Sequence, residues 1–177
     1  MPVSPEELLQ RCRYGDRQAF DQLMNEYQSY GFTLACRLLQ DRDEAEDVVQ
    51  EGFIRGWKHL ARYDGRVRFT TWLYQIITRL CLDRLKARRR RRLLFDRSEQ
   101  DPGHSPEQKY DQQDIQNHIL AAASALPVKQ QLIFTLRDVQ DLSMADVQTI
   151  TGMSSGAIKT NLYLARRAIR GKLLNVL

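Results

Sequence analysis

Lys159, Thr160, Tyr163, Arg166, Arg167 and Arg170 fall on one side of a segment whose other side is apolar. That side, Ile158, Leu162, Ala165, Ile169 and Leu173, repeats at the three-and-four spacing of a buried helical stripe. Side chains of the first set can donate to base edges in a DNA major groove and hold phosphates further along. Just upstream, Ser143 and Asp146 suit the start of a shorter helix with Val147 and Ile150 facing inward. Thr151-Gly152-Met153 then makes a turn, and Ser154 or Ser155 caps the second helix. Two packed helices with a solvated basic face would share the stripe. Spacing, turn, caps and cations together, from Leu142 to Arg170, favour a DNA-reading helix-turn-helix.

A different chemistry is conceivable at Asp43, Glu46 and Asp47, three carboxylates that could hold a metal in an enzyme acting on nucleic acid. They share one solvated helix start, with no histidine or nucleophile nearby, so catalysis is not expected and neither is a metal or cofactor. Cys12, Cys36 and Cys81 lack the paired short spacings of a zinc site, and His59, His104 and His118 do not supply them. Reduced, mostly buried thiols are expected.

The elements that must position these residues read as helices throughout. Ser4, Pro5 and Glu7 form a helix start, and Gly15 a stop. A second helix begins at Asp16 and carries Phe20, Leu23, Met24, Tyr27, Tyr30, Leu34 and Leu38 as its buried stripe. Asp41 with Glu44 starts a third, with Ala45, Val48, Val49, Phe53, Trp57 and Leu60 on its apolar face. After the turn-like Tyr63-Asp64-Gly65-Arg66, a fourth starts near Thr70, buries Trp72, Leu73, Ile76, Ile77 and Leu80, and runs into a basic block. From Arg84 to Arg92 that block holds seven cations in nine residues, which favours an electrostatic clamp over a solvated charge run.

From Asp96 to Asp114 six acidic residues face two cations, with two prolines and no apolar period, the pattern of a linker. Beyond it Ile115, Ile119, Ala122 and Ala123 mark a helix ending near Leu126-Pro127, and Val128, Leu132, Ile133 and Leu136 the next. Nothing alternates with the period of a strand. The expected fold is all-α: two small helical domains, 1–95 and 114–177, joined by a flexible acidic linker, 96–113. The chain has 177 residues, a net charge of +5 and a pI near 9.3, a balance that suits an anionic partner. The start MPVSPEELLQ lacks the pattern of a secretory signal, and no segment offers about 18 uninterrupted apolar residues. A soluble, cytoplasmic protein without membrane insertion is expected.

These segments resemble the extracytoplasmic-function sigma factors of bacteria, which keep the second and fourth conserved regions of their family. DVQDLSMADVQTITGMSSGAIKTNLYLARRAI is similar to the fourth region, and DEAEDVVQEGFIRGW with FTTWLYQIITRLCLDRLKARRR to the second. The resemblance implies a dissociable specificity subunit that docks on core RNA polymerase, reads −35 promoter duplex and captures the melted −10 strand. It would place polymerase binding on Asp47, Gln50 and Glu51. The −35 contacts would fall on Ser155, Lys159, Thr160, Tyr163, Arg166 and Arg167. The −10 contacts would fall on Tyr63, Arg66, Arg68, Thr70, Arg79, Arg84 and Arg88, with Tyr63 in a pocket for a flipped base and Trp72 structural. Core RNA polymerase, promoter DNA and an anti-sigma factor are the implied partners, and the acidic linker would be a tether or a nucleic-acid mimic. The alternative is a stand-alone helix-turn-helix regulator binding a palindrome without polymerase.

Three positions depart from the family's pattern. Arg79 stands where asparagine is common, and Leu164 where a basic residue is frequent. Gln148 replaces a small residue, so its bulk is expected to need room where the helices of the helix-turn-helix approach.

Overall fold

The computed structural model describes residues 5–95 and 114–174. Ser4 and the acidic stretch 96–113 lie outside the described residues, and with them the Ser4 cap and the readings of the linker. The described elements are helical, with no strand among them. The order is α1 (Pro5–Arg13), α2 (Arg17–Leu39), α3 (Arg42–His59), α4 (Phe69–Phe95), α5 (Asp114–Ser124), α6 (Val128–Phe134), α7 (Met144–Thr151) and α8 (Ser155–Leu174). A 3-10 turn, Leu60–Arg62, follows α3, and a π-helical turn, Thr135–Val139, extends α6.

Short polar side chains set the starts. Asp16 accepts from the backbone amide of Ala19 at 3.1 Å, and Asp41 from that of Glu44 at 2.9 Å. Each satisfies an amide that the first helical turn leaves without a partner. Ser143 does the same for Asp146 at 3.1 Å, and at α8 it is Ser154 that caps, accepting from Ala157 at 3.3 Å. Gly152 ends α7 at φ 69°, a left-handed conformation that costs glycine nothing and most other residues about 1 kcal/mol.

In the N-terminal half α2, α3 and α4 pack around Ile77, which is fully buried. The backbones come close because two glycines face it. A Cβ built on Gly31 would lie 2.7 Å from Ile77 Cδ1, and one on Gly52 2.9 Å from Ile77 Cγ1. Gly31 therefore occupies the stripe position expected of Tyr30. Spacing of three and four runs Phe20, Leu23, Tyr27, Gly31, Leu34, Leu38, which rotates Tyr30 outward, where it is 55% exposed.

The C-terminal half does not hang free. Leu132, Ile133, Leu136, Val147, Ile150 and Ile158 join the same buried cluster as the N-terminal core. A smaller cluster, centred on Ala122, Ala123, Ala165 and Ile169, packs α5 against α8. Polar contacts reinforce the junction: Gln75 Nε2 donates to the Thr149 carbonyl at 3.0 Å, Gln140 Nε2 to that of Tyr30 at 3.0 Å, and Gln40 Nε2 to that of Ser124 at 2.6 Å.

Candidate nucleic-acid interface

The recognition face is built by α8. Ile158, Leu162, Ala165 and Ile169 are buried, while Lys159, Thr160, Tyr163, Arg167 and Arg170 stand on the open side, Tyr163 at 63% exposure. Ser155 is half-buried in the first turn. The geometry thus gathers all six expected −35 residues on or beside one accessible face. Arg166, its side chain 55% exposed there, is also paired. Its guanidinium makes a forked pair with Asp138, Nε to Oδ2 at 2.8 Å and Nη2 to Oδ1 at 2.6 Å. Donating these hydrogen bonds to Asp138 raises the Arg166 pKa, and the pair ties α8 to the π-helical turn.

Gln148 corrects one expectation. Its side chain is exposed on the outer face of α7, and its carbonyl accepts from Gly152 at 2.8 Å. It does not occupy the crossing with α8, so the two helices need no adjustment. Leu164 is 39% exposed beside Tyr163, an apolar neighbour to the cationic face.

At the start of α4 lies a cavity of about 650 Å³ whose walls come from Tyr27, Tyr63, the loop 65–70 and α1. Tyr63 is 8% exposed. Its hydroxyl donates to the Val67 carbonyl at 2.6 Å, which closes the loop, and its ring lies 5.3 Å from that of Trp72 and 5.9 Å from that of Phe69. Arg13 caps the other side, its guanidinium 5.8 Å from the ring centre and donating to the Tyr63 carbonyl. Burial raises the Tyr63 pKa, so the phenol stays neutral. Tyr63 is a wall of the cavity and the knot of its loop. Trp72, half-buried against Tyr63 and Phe69, supports that wall from behind. The role of α1 had no signal in the sequence, because Arg13 lies 50 residues from its contact.

The other expected −10 residues divide by their partners. Arg79 is exposed on α4 and Thr70 lines the cavity. Arg66 pairs with Asp64 at 3.1 Å on the open loop. Arg68 pairs with Asp146 of α7. Arg84 reaches Glu51 at 3.4 Å, and Arg88 donates to the Leu39 carbonyl at 2.9 Å and pairs with Glu44 and, at 3.5 Å, Asp41. Both arginines staple α4 to α3, whereas Arg89, Arg90 and Arg91 further along are exposed.

On α3 Asp47 and Gln50 are exposed and unpaired among the described residues, and Ile54, 54% exposed, extends their face by a turn. Glu51 is half-buried and bridges Arg55 at 2.6 Å and Arg84. The carboxylates Asp43 and Glu46 lie on the same open side of α3, and no group of three or more metal-ligating side chains occurs among the described residues. No helix there is long and apolar enough to cross a membrane.

Asp146 is the hub between the two halves. It accepts from Thr71 Oγ1 at 2.7 Å and Ser143 Oγ at 2.6 Å, besides its pair with Arg68. Burial opposes its charge, yet these hydrogen bonds and the Arg68 cation outweigh burial and hold its pKa below the usual carboxylate value.

Comparison with known proteins agrees with this arrangement. Residues 23–91 match the family model of Sigma-70 region 2, and residues 116–169 that of Sigma-70, region 4. The chain is 31% identical to the RNA polymerase sigma-H factor of Pseudomonas aeruginosa, over 93% of this chain and 91% of that one. It is 27% identical to the ECF RNA polymerase sigma factor SigW of Bacillus subtilis, over 98% of each. In fold it is similar to the sigma factor RpoE from Bartonella quintana, solved in complex with the anti-sigma factor NepR. The TM-score is 0.71 at 22% identity, covering 87% of this chain and 96% of that one. It is likewise similar to CnrH, solved in complex with the cytosolic domain of CnrY, with a TM-score of 0.69 at 20% identity and 96% of each chain covered.

Proposed function

As this chain belongs to the extracytoplasmic-function sigma factors of bacterial RNA polymerase, we propose that it grips a promoter at two places. The open face of α8 takes the −35 duplex, and the cavity at the start of α4 takes a base of the melted −10 strand. Directing RNA polymerase to promoters follows from membership of the family; the residue assignments go beyond it. The observation that carries them is the accessible cationic face of α8 opposite a fully packed stripe, joined in one chain to an aromatic cavity beside cations. Lys159, Thr160, Tyr163 and Arg167 read or hold the duplex, with Arg166 orienting them. Arg79 and Arg89 to Arg91 serve the melted strand. Asp47 and Gln50 meet cations of the polymerase. The solved relatives' anti-sigma complexes support an inhibitory protein partner for this chain as well.

The test is promoter-specific transcription by the purified chain with core RNA polymerase on genomic DNA. A palindrome bound tightly without polymerase would favour the stand-alone regulator instead. Within a successful assay, Lys159→Ala is expected to cost about 1 to 3 kcal/mol and to relax specificity at one −35 position if it meets a base edge. Arg166→Ala is expected to weaken all −35 variants alike and lower the melting temperature, since it releases α8 from Asp138. Base-specific relaxation by Arg166→Ala would reassign it as a reader.

The closed arrangement bears on this grip. Elements about 25 base pairs apart are separated by roughly 85 Å at 3.4 Å per pair. A compact chain of this size is about 40 Å across, so the α4–α7 contact must part for both elements to be held. The eighteen residues between the halves, 96–113, have a contour length of about 60 Å. Thr71→Val removes a hydrogen bond to charged Asp146 without changing shape, which is expected to weaken the contact by about 1 to 2 kcal/mol. Energy transfer between dyes on the two halves of the free chain reads the opening, and an unchanged signal would refute it. With the Asp146 pKa depressed, the charged contact is complete above about pH 4. It is lost as pH falls through the lowered value, so transfer should be flat from pH 5 to 8.

A further inference from the structure

The cavity beside Tyr63 has one wall that the −10 assignment above leaves without a role, the outward side of α1. Resting on the reading that this cavity receives a flipped base, we infer that Glu6 and Gln10 read its pairing edge and select an amino-bearing base against thymine.

Several polar groups around the cavity already have partners within the chain. The Tyr63 hydroxyl is engaged with the Val67 carbonyl, and Arg13 with the Tyr63 carbonyl and ring. Arg66 is paired with Asp64, whereas Arg68, released from Asp146 once the α4–α7 contact parts, and Thr70 stand on the loop side of the cavity, away from α1. Glu6 and Gln10 both line the cavity and are exposed, and neither side chain has a hydrogen-bond partner among the described residues. They are one helical turn apart, so both project from the same face of α1. The Glu6 carboxylate also lies close to the aromatic side. After burial, its charge is among the causes that raise the pKa of Tyr63 and, to about 12, of Tyr27. A planar base between those rings and α1 would present its edge to Glu6.

A carboxylate only accepts hydrogen bonds. Adenine, cytosine and guanine each offer an exocyclic amine to it, next to a ring nitrogen or carbonyl that the Gln10 amide can serve. Thymine offers one N–H between two carbonyl oxygens, and those oxygens are repelled by the carboxylate. A well-formed pair of this kind discriminates by about 1 to 3 kcal/mol, or tenfold and more. Gln10 adapts to either a donor or an acceptor, so Glu6 sets the exclusion and Gln10 completes it.

The experiment pairs the full chain with core RNA polymerase on a promoter library in which every −10 position is randomised. Sequenced transcripts give a base profile, normalised to total output. The wild type is expected to show one position at which thymine is depleted about tenfold. In Glu6→Gln, whose amide can also donate to a carbonyl, thymine should recover about tenfold at that position alone. Gln10→Ala, which removes a group that serves each amino-bearing base alike, should lower all three together at the same position and narrow their lead over thymine about threefold or more. A thermal melt of each variant reports folding. Profiles unchanged in both folded variants would overturn the inference, as would a shift spread evenly over all −10 positions. Failure of the wild type to give any promoter-specific transcript would instead sink the proposed promoter grip, so the two failures are distinguishable.

Discussion

Asp47→Arg is expected to separate this chain from core RNA polymerase, weakening their association at least tenfold while leaving the melting temperature within about 1 °C. Asp47 is exposed and makes no ion pair among the described residues, so the fold loses nothing when it is reversed. Removing one partner of a well-formed interfacial charge pair costs about 2 to 5 kcal/mol, and the arginine adds repulsion against the polymerase cations that Asp47 is proposed to meet. The effect should grow at low ionic strength, where screening is weak. Glu51→Ala provides the contrast. Its carboxylate holds Arg55 and Arg84, so its loss should loosen α4 from α3 and lower the melting temperature along with binding. Affinity titrated by fluorescence anisotropy, beside thermal melts, checks both, and undiminished binding of Asp47→Arg would remove this face of α3 from the polymerase interface.

Gly52→Val is expected to unfold the N-terminal half or to cost it well over 2 kcal/mol. A Cβ built at this position would lie 2.9 Å from Ile77 Cγ1, and one on Gly31 would lie 2.7 Å from Ile77 Cδ1. With Ile77 set closely against both glycines, the extra methyl groups are housed only by moving α3 away from α4. Overpacking of this kind costs about 1 to 3 kcal/mol for a methylene or two, and more where the neighbour cannot yield. Ile77→Ala alone should cost about 2 to 5 kcal/mol by leaving a cavity. Combined with Gly52→Ala it should cost less than the sum, because each change supplies what the other lacks. Urea denaturation of the set measures the coupling; strict additivity would show that the two residues do not share one space. Because the two halves contribute to a single buried cluster, the loss should also weaken the docking of the helix-turn-helix.

Reading the helices from the sequence worked where the signal is local. Caps at Asp16, Asp41 and Ser143 involve partners three residues away, and the buried stripe of α8 is periodic. Spacing is silent where a partner is distant. Arg166 has the type and spacing of a base reader, and its pairing with Asp138, 28 residues upstream on a π-helical turn, is announced by no spacing. Arg84 and Arg88 belong to a charge run that reads as a clamp, and their contacts with Glu51, Glu44 and the Leu39 carbonyl appear only in the fold. Gln148 stands where the family's pattern has a small residue, which points to a crossing, whereas the backbone turns it outward. The candidate base cavity was half legible: the aromatic loop at Tyr63 carries a composition signal, but the wall of α1 is assembled only by the packing of Leu8, Leu9 and Cys12 into the core.

On the proposed two-site grip, the docking of α7 on α4 acts equally on every promoter, because Asp146, Thr71 and Gln75 hold one half against the other without addressing a particular base. By mass action, the apparent affinity for any promoter is the intrinsic affinity multiplied by the fraction of molecules that have opened. Each additional 1.4 kcal/mol in that contact therefore lowers all promoter affinities tenfold and leaves their ratios untouched. Specificity and threshold become separately adjustable, the first by residues of α8 and the cavity, the second by a handful of contacts between the halves.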